Sequence, residues 1–78
     1  MKAEDGYLKF VRWSEDDAAY VGYCPDLFPF GGVCHGDEEG TTYQRLIEIV
    51  REEIADLTRS GAELPPAITR PMREAAGV

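Results

Sequence analysis

The chain has 78 residues and a mass of 8.7 kDa, which is enough for one small domain. Fifteen acidic and eight basic residues give a net charge of −7, which argues against a nucleic-acid-binding surface because such a surface needs a basic face. A hydrophobic content of 44% excludes a disordered chain, and the absence of a long apolar run argues against a membrane protein.

The first part of the sequence predicts an antiparallel hairpin. Residues 7–13 are rich in aromatic and β-branched side chains and predict a first strand, and residues 20–24 predict a second. Between them lies the polar segment 14–19, whose Ser and Asp side chains favour a turn by bonding to the nearby backbone. Pro25 ends the second strand because it lacks the backbone donor that a sheet requires.

The middle of the chain predicts a short third strand and the start of a helix. The connection 25–32 contains two prolines and two glycines, which are typical of turns, and Val33 to His35 form the predicted strand. Asp37 is the expected N-cap of the helix. Because Gly40 weakens the first helical turn, a start at the next residue, Thr41, or at Thr42 remains open.

The helix is predicted from a single apolar stripe. Its members follow spacings of three, four and seven residues: Tyr43, Leu46, Ile47, Val50, Ile54 and Leu57. Ser60 and Gly61 predict the end of the helix, since glycine tolerates the left-handed conformation that follows a helix. Beyond the prolines at 65 and 66, residues 67–69 predict a short final strand.

These elements predict an α+β fold of the order β-β-β-α-β. A three-stranded antiparallel sheet carries one amphipathic helix on one face, and the C-terminal strand is a short addition. Residues 1–70 form the single domain, and residues 71–78 are a frayed tail. The open face of the sheet is expected to carry Tyr7, Lys9 and Arg12.

Reactive groups are few, and no catalytic, metal-binding or cofactor-binding residue is predicted. Cys24, Cys34 and His35 lack the closely paired spacing of a zinc site. Cys34 and His35 are neighbours on a predicted strand, so their side chains point to opposite faces and cannot act as a thiolate–imidazole pair. Two cysteines and no signal-peptide pattern at the N-terminus predict reduced thiols and a cytoplasmic location.

The order of several short motifs resembles the HicB-like antitoxin family. The acidic hairpin from Trp13 onward ends in Pro-Asp-Leu at residues 25–27, and His-Gly-Asp at 35–37 precedes the helix. The segment 61–66, Gly-Ala-Glu-Leu-Pro-Pro, is similar to the end of the family's domain. The resemblance implies a partial ribonuclease-H-like fold without catalysis. Because only twelve residues follow Pro66, we do not expect this chain to contain the C-terminal DNA-binding domain of many family members.

The resemblance implies that the protein neutralises a HicA-like toxin, a small basic protein that cleaves RNA. An acidic surface is suited to compete with RNA phosphates for a basic face. The predicted partner contacts are the acids of the hairpin and of the following loop: Glu15, Asp16, Asp17 and Asp26. The second choice is the set of helix acids Glu48, Glu52 and Asp56, for which exposure to solvent alone is the alternative. No direct contact with nucleic acid or membrane is expected.

A second hypothesis is a HicB-like domain that forms homo-oligomers without any toxin. For 78 residues, apolar burial supplies on the order of 118 kcal/mol, and chain ordering costs on the order of 117 kcal/mol. Because this balance is near zero, a homodimer or a larger assembly is expected under either hypothesis.

Overall fold

The computed structural model describes residues 2–69 and has the predicted α+β architecture. Three strands, β1 (Phe10–Ser14), β2 (Ala19–Tyr23) and β3 (Cys34–Gly36), form an antiparallel sheet in the order β1-β2-β3. One helix, α1 (Glu39–Arg59), follows the sheet, and a short 3-10 helix, Ala3–Gly6, precedes it. The three-stranded sheet and the single long helix are therefore confirmed.

The hairpin register defines the two faces of the sheet. Trp13 lies opposite Tyr20, and Phe10 lies opposite Tyr23. Because side chains alternate along a strand, Trp13 and Tyr20 share one face with Gly22, while Phe10 and Tyr23 share the other. On this second face, the rings of Phe10 and Tyr23 stack with their centroids 5.0 Å apart.

The start of the helix differs from the prediction. Glu38, and not Asp37, is the N-cap residue, and its side chain makes no capping hydrogen bond. The backbone N–H of Thr42 donates to the carbonyl oxygen of Glu38 at 3.1 Å, and the Thr42 hydroxyl donates to the same oxygen at 2.6 Å. The helix therefore includes Gly40, and acidic side chains in this first turn are favourable because they face the positive end of the helix dipole.

The end of the helix confirms the predicted stop. Ser60 is the C-cap residue, and Gly61 has a φ of 80°. The Gly61 N–H donates to the Thr58 carbonyl at 3.1 Å, and the Ala62 N–H donates to the Leu57 carbonyl at 2.9 Å. This pair of bonds is a Schellman motif, and it satisfies two carbonyls that have no partner within the helix.

Close packing of α1 on the sheet depends on Gly22. A Cβ atom at this position would lie 3.3 Å from the Leu46 Cβ and 3.1 Å from the Cys34 Sγ. The absent side chain therefore lets Leu46 pack against the strand and become fully buried. Ile49, which the predicted stripe omits, also packs against the core, together with Val11, Phe28, Val33, Tyr43, Ile54, Leu57 and Ala67.

The helix crosses the sheet diagonally. Near its beginning, the Thr42 hydroxyl approaches Gly36 of β3, and it would lie 2.7 Å from a Cβ atom there. Farther along, Arg51 binds Glu4 of the 3-10 helix that precedes β1. The helix therefore runs from the end of β3 towards the start of β1. It leaves the end of β1 uncovered on this face, where Trp13 is 44% exposed.

The N-terminal segment corrects two expectations. β1 begins at Phe10 and not at Tyr7, because residues 3–6 form the 3-10 helix. Tyr7 was expected on the open face, but it is buried in the core, and its hydroxyl donates to the Pro65 carbonyl at 2.5 Å. Lys9 is half-buried, and its ammonium group donates to the carbonyls of Glu4 and Tyr7 at 2.6 and 3.1 Å.

The C-terminal segment has no strand between residues 62 and 69, so the predicted final strand at 67–69 is not observed. The segment is instead held by hydrogen bonds to two side chains of the domain. The Tyr7 hydroxyl binds the Pro65 carbonyl, and the Asp26 carboxylate accepts hydrogen bonds from residues 68 and 69. The predicted tail, 71–78, and the end of the predicted domain at residue 70 lie outside the described residues.

Candidate functional site

The turn between β1 and β2 presents three acidic side chains to solvent. Glu15, Asp16 and Asp17 are all exposed. The Ser14 hydroxyl donates to the Asp17 carboxylate at 2.8 Å and accepts the Asp17 backbone N–H at 3.3 Å. Ala18 completes the turn with a φ of 50°. The two Ser14 bonds give the turn a defined shape, so the three acids are held at the tip of the hairpin.

A second acidic run lies at the same end of the sheet. β3 is antiparallel to β2, and its last residue, Gly36, lies opposite Tyr20, which is the second residue of β2. Residues 37–39 leave β3 at this point and enter α1. The acidic end, as we name it, therefore consists of six exposed carboxylates from two separate stretches: Glu15, Asp16, Asp17, Asp37, Glu38 and Glu39.

None of these six carboxylates has a basic partner within residues 2–69. The two ion pairs of this part of the chain join Glu4 to Arg51 and Asp56 to Arg59. A surface depression of about 420 Å³ opens beside the acidic end and is lined by His35, Gly36, Asp37, Glu38, Thr41, Thr42 and Arg45. Uncompensated negative charge on a small surface attracts positively charged partners and steers their approach.

An aromatic pair borders the acidic end. The rings of Trp13 and Tyr20 meet edge to face, with centroids 5.2 Å apart and an interplanar angle of 72°. The indole Nε1–H of Trp13 donates to Glu15 Oε2 at 2.9 Å. This pair combines the exposed aromatic area and the fixed orientation that are typical of binding anchors.

The fourth predicted contact, Asp26, lies at the opposite end of the sheet. It follows Pro25, shortly after β2 ends at Tyr23. Its Oδ2 accepts the backbone N–H groups of Ile68 and Thr69, both at 3.1 Å, and its Oδ1 accepts the Thr69 hydroxyl at 2.7 Å. A partner contact at Asp26 stays a prediction, whereas the geometry gives this carboxylate a role in holding the C-terminal segment.

The thiols and the imidazole are separated as the strand pattern predicts. Cys34 is buried under α1, and His35 is exposed. Cys24 is fully buried, and both cysteines are free thiols. Burial raises the pKa of each thiol, which disfavours the nucleophilic thiolate. Among the described residues, no cluster of three or more His, Cys, Asp or Glu side chains has the arrangement of a metal site.

Comparisons of the chain with protein-family models, with curated proteins and with solved structures found no match. The acidic end and the aromatic pair beside it are therefore the features from which a function is inferred. The acids of the hairpin are predicted from the sequence as partner contacts, whereas residues 37–39 are predicted only as the start of the helix. The signal for their convergence was present, because a third strand that pairs antiparallel with β2 runs in the same direction as β1 and ends at the same edge of the sheet as the hairpin tip.

Proposed function

We propose that this chain is a non-enzymatic HicB-like protein of the antitoxin type, which binds and masks a small basic RNA-cleaving toxin in the cytoplasm. The motif order described above supports the family, and three antiparallel strands followed by one helix are consistent with a partial ribonuclease-H-like fold. The observation that carries the proposal is the acidic end, where six exposed carboxylates lack basic partners within residues 2–69.

The proposed mechanism is competition for a basic surface. A ribonuclease binds RNA through cationic side chains, and most of its affinity comes from contacts with phosphates. The hairpin carboxylates bind those cationic side chains in place of the RNA phosphates, so the toxin is blocked without any chemical step. Because the acids at the hairpin tip are exposed, increasing salt is expected to slow association.

The experiment pairs this protein with the product of an adjacent reading frame that encodes a small basic protein. Calorimetry measures the complex, and an RNA-cleavage assay with a growth-rescue assay measures neutralisation. We expect the triple variant E15Q/D16N/D17N to weaken binding by at least about tenfold, because it removes three carboxylates from the acidic end.

The matched control is E48Q/E52Q/E63Q, which changes the net charge by the same amount at exposed positions outside the acidic end. We expect this control to weaken binding by no more than about threefold, through the long-range field alone. The absence of a complex, or equal losses in the two triple variants, would contradict the proposal.

The second candidate function is a homo-oligomeric interaction module that has no toxin. The observation in its favour is the sheet face opposite α1. On this face, Phe10 of the edge strand β1 stacks on Tyr23 of the central strand β2, and Arg12 of β1 lies on the same face. Sedimentation of the purified chain tests this candidate. A strict monomer at micromolar concentrations would count against it, whereas an oligomer that Phe10→Ser dissociates would support it.

A further inference from the structure

Trp13 is held in a fixed orientation on the surface. Its indole N–H binds Glu15 Oε2, and Tyr20 contacts the ring edge to face, yet the residue is 44% exposed. The exposed aromatic surface is not explained by the core, because Leu46 and Val50 of α1 pack farther along the same sheet face. Large aromatic side chains that are both exposed and oriented are enriched where partners bind.

The chemistry beside the ring favours a cation. Within residues 2–69, no hydrogen bond engages Glu15 Oε1, so this oxygen is available as an acceptor next to the indole. Asp16 follows at the exposed tip. Arg12, the nearest cation along the strand, projects from the opposite face of β1 because it alternates with Trp13. Arg12 does border the depression that Trp13, Glu15 and Asp16 line, but no ion pair joins it to either carboxylate within residues 2–69.

We propose that Trp13 and Glu15 form an anchor site for an arginine side chain of the basic partner. The assignment rests on the proposed function. A guanidinium group is planar and weakly hydrated, so it stacks on an indole while its N–H groups donate to a carboxylate. A lysine ammonium forms a point contact with the same groups but does not stack. The site therefore distinguishes arginine from lysine, whereas the rest of the acidic end responds to charge alone.

The test uses the full chain with two labelled probes, hexa-arginine amide and hexa-lysine amide, and measures binding by fluorescence anisotropy. The wild-type chain is expected to bind the arginine probe about two- to fivefold more tightly than the lysine probe. Trp13→Leu is expected to abolish this preference, and Trp13→Phe to reduce it. Asp16→Asn is the matched control, which weakens both probes by the same factor.

Because Trp13 is the only tryptophan of the chain, its emission reports the site directly. Unlabelled hexa-arginine is expected to change the emission of the wild-type chain more than hexa-lysine does at equal occupancy. Circular dichroism verifies that the variants fold, and Trp13→Phe serves if Trp13→Leu does not. Equal affinity of the wild-type chain for the two probes, or an undiminished preference for arginine in a folded Trp13 variant, would overturn the assignment.

The outcomes also separate this assignment from the proposed function. If Trp13→Leu or Trp13→Phe binds the basic ribonuclease and both probes as the wild-type chain does, the arginine site is wrong and the proposed function stands. If the wild-type chain prefers arginine through Trp13 but forms no complex with the ribonuclease, the proposed function is wrong and the site stands.

Discussion

At the end of the sheet where β1 begins, carboxylates bind groups of the same chain, whereas at the end where β1 finishes they face solvent. Glu4 is only 9% exposed and accepts the Arg51 Nε–H at 3.0 and 2.7 Å. Asp26 accepts three hydrogen bonds from Ile68 and Thr69. We call this region the anchored end.

The role of each carboxylate in this protein therefore depends on the hydrogen-bond donors within its reach. At the anchored end, the N-terminal 3-10 helix, the loop after β2 and the C-terminal segment meet, and their N–H groups and the Arg51 side chain supply donors. At the acidic end, only the Trp13 indole and the Ser14 hydroxyl donate side-chain hydrogen bonds to the carboxylates within residues 2–69. Most of the acidic end therefore remains available to another molecule.

The largest expected contrast in stability is between Asp26→Ala and Asp16→Ala. The first substitution removes three hydrogen bonds to a half-buried carboxylate, and we expect it to lower the free energy of unfolding by about 2 kcal/mol. The second alters an exposed tip, so we expect a change within about 0.5 kcal/mol. Urea denaturation measures both values.

Hydrogen exchange makes the same contrast specific to the C-terminal segment. The amides of Ile68 and Thr69 are expected to lose protection in Asp26→Ala and to keep it in Asp16→Ala, because both amides donate to Asp26. Equal stability of the two variants, or unchanged exchange at these amides, would remove the distinction between the two ends.

A smaller effect is expected from Tyr7→Phe, which removes the hydroxyl that donates to Pro65 and keeps the buried ring. We expect a loss of about 1 kcal/mol at neutral pH. Tyr20→Phe is the matched control at the acidic end, where no hydrogen bond of the hydroxyl occurs within residues 2–69, and a change near zero is expected. Thermal or urea unfolding of the two variants decides whether the Pro65 contact stabilises the fold.

Alkaline pH tests the same tyrosine. Burial, followed by the negative charges of Asp26 and Cys24, raises the pKa of Tyr7 above its usual 10.0. Since the folded state then holds this proton more tightly than the unfolded state, its contribution is fully present below pH 10 and is lost as pH rises through the raised pKa. Tyr7→Phe is therefore expected to lose less stability than the wild-type chain above pH 10. A steeper decline in the variant would contradict this.

The smallest expected effects come from two glycines at opposite ends of α1. Gly40 has open space where a Cβ atom would lie, so Gly40→Ala is expected to stabilise the acidic end by about 0.5 kcal/mol. Gly61 has a φ of 80°, a backbone conformation that is strained for a residue with a Cβ atom. Gly61→Ala is therefore expected to destabilise the helix end by about 1 kcal/mol. Chemical denaturation checks the opposite signs, and two changes of the same sign would show that local backbone conformation does not decide them.

Much of the fold followed from local patterns. The aromatic and β-branched runs predicted β1 and β2, the apolar stripe predicted α1, and Ser60 with Gly61 marked its end. The predictions failed where a long-range contact overrides local preference. Tyr7 has a strand-like side chain but lies in the core beneath Pro65, and residues 67–69 are held by a side chain instead of a neighbouring strand.

The candidate site was predictable only in part. The exposed acids of the hairpin tip follow from turn chemistry, because Ser and Asp residues bond locally. Their convergence with residues 37–39 needs the pairing of β3 with β2. The exposure of Trp13 needs the diagonal path of α1, which is set by Leu46 packing on Gly22 and by Arg51 reaching Glu4.

Local sequence patterns specify the element types and the tip of the hairpin, because these depend on spacings of a few residues and on local hydrogen bonds. Which carboxylates bind within the chain and which remain exposed depends instead on long-range packing. The Asp26 carboxylate accepts hydrogen bonds from Ile68 and Thr69, which lie 42 and 43 positions later in the chain. No local pattern encodes this contact. Glu15, in contrast, accepts a hydrogen bond from Trp13, which lies only two positions earlier, near the end of β1.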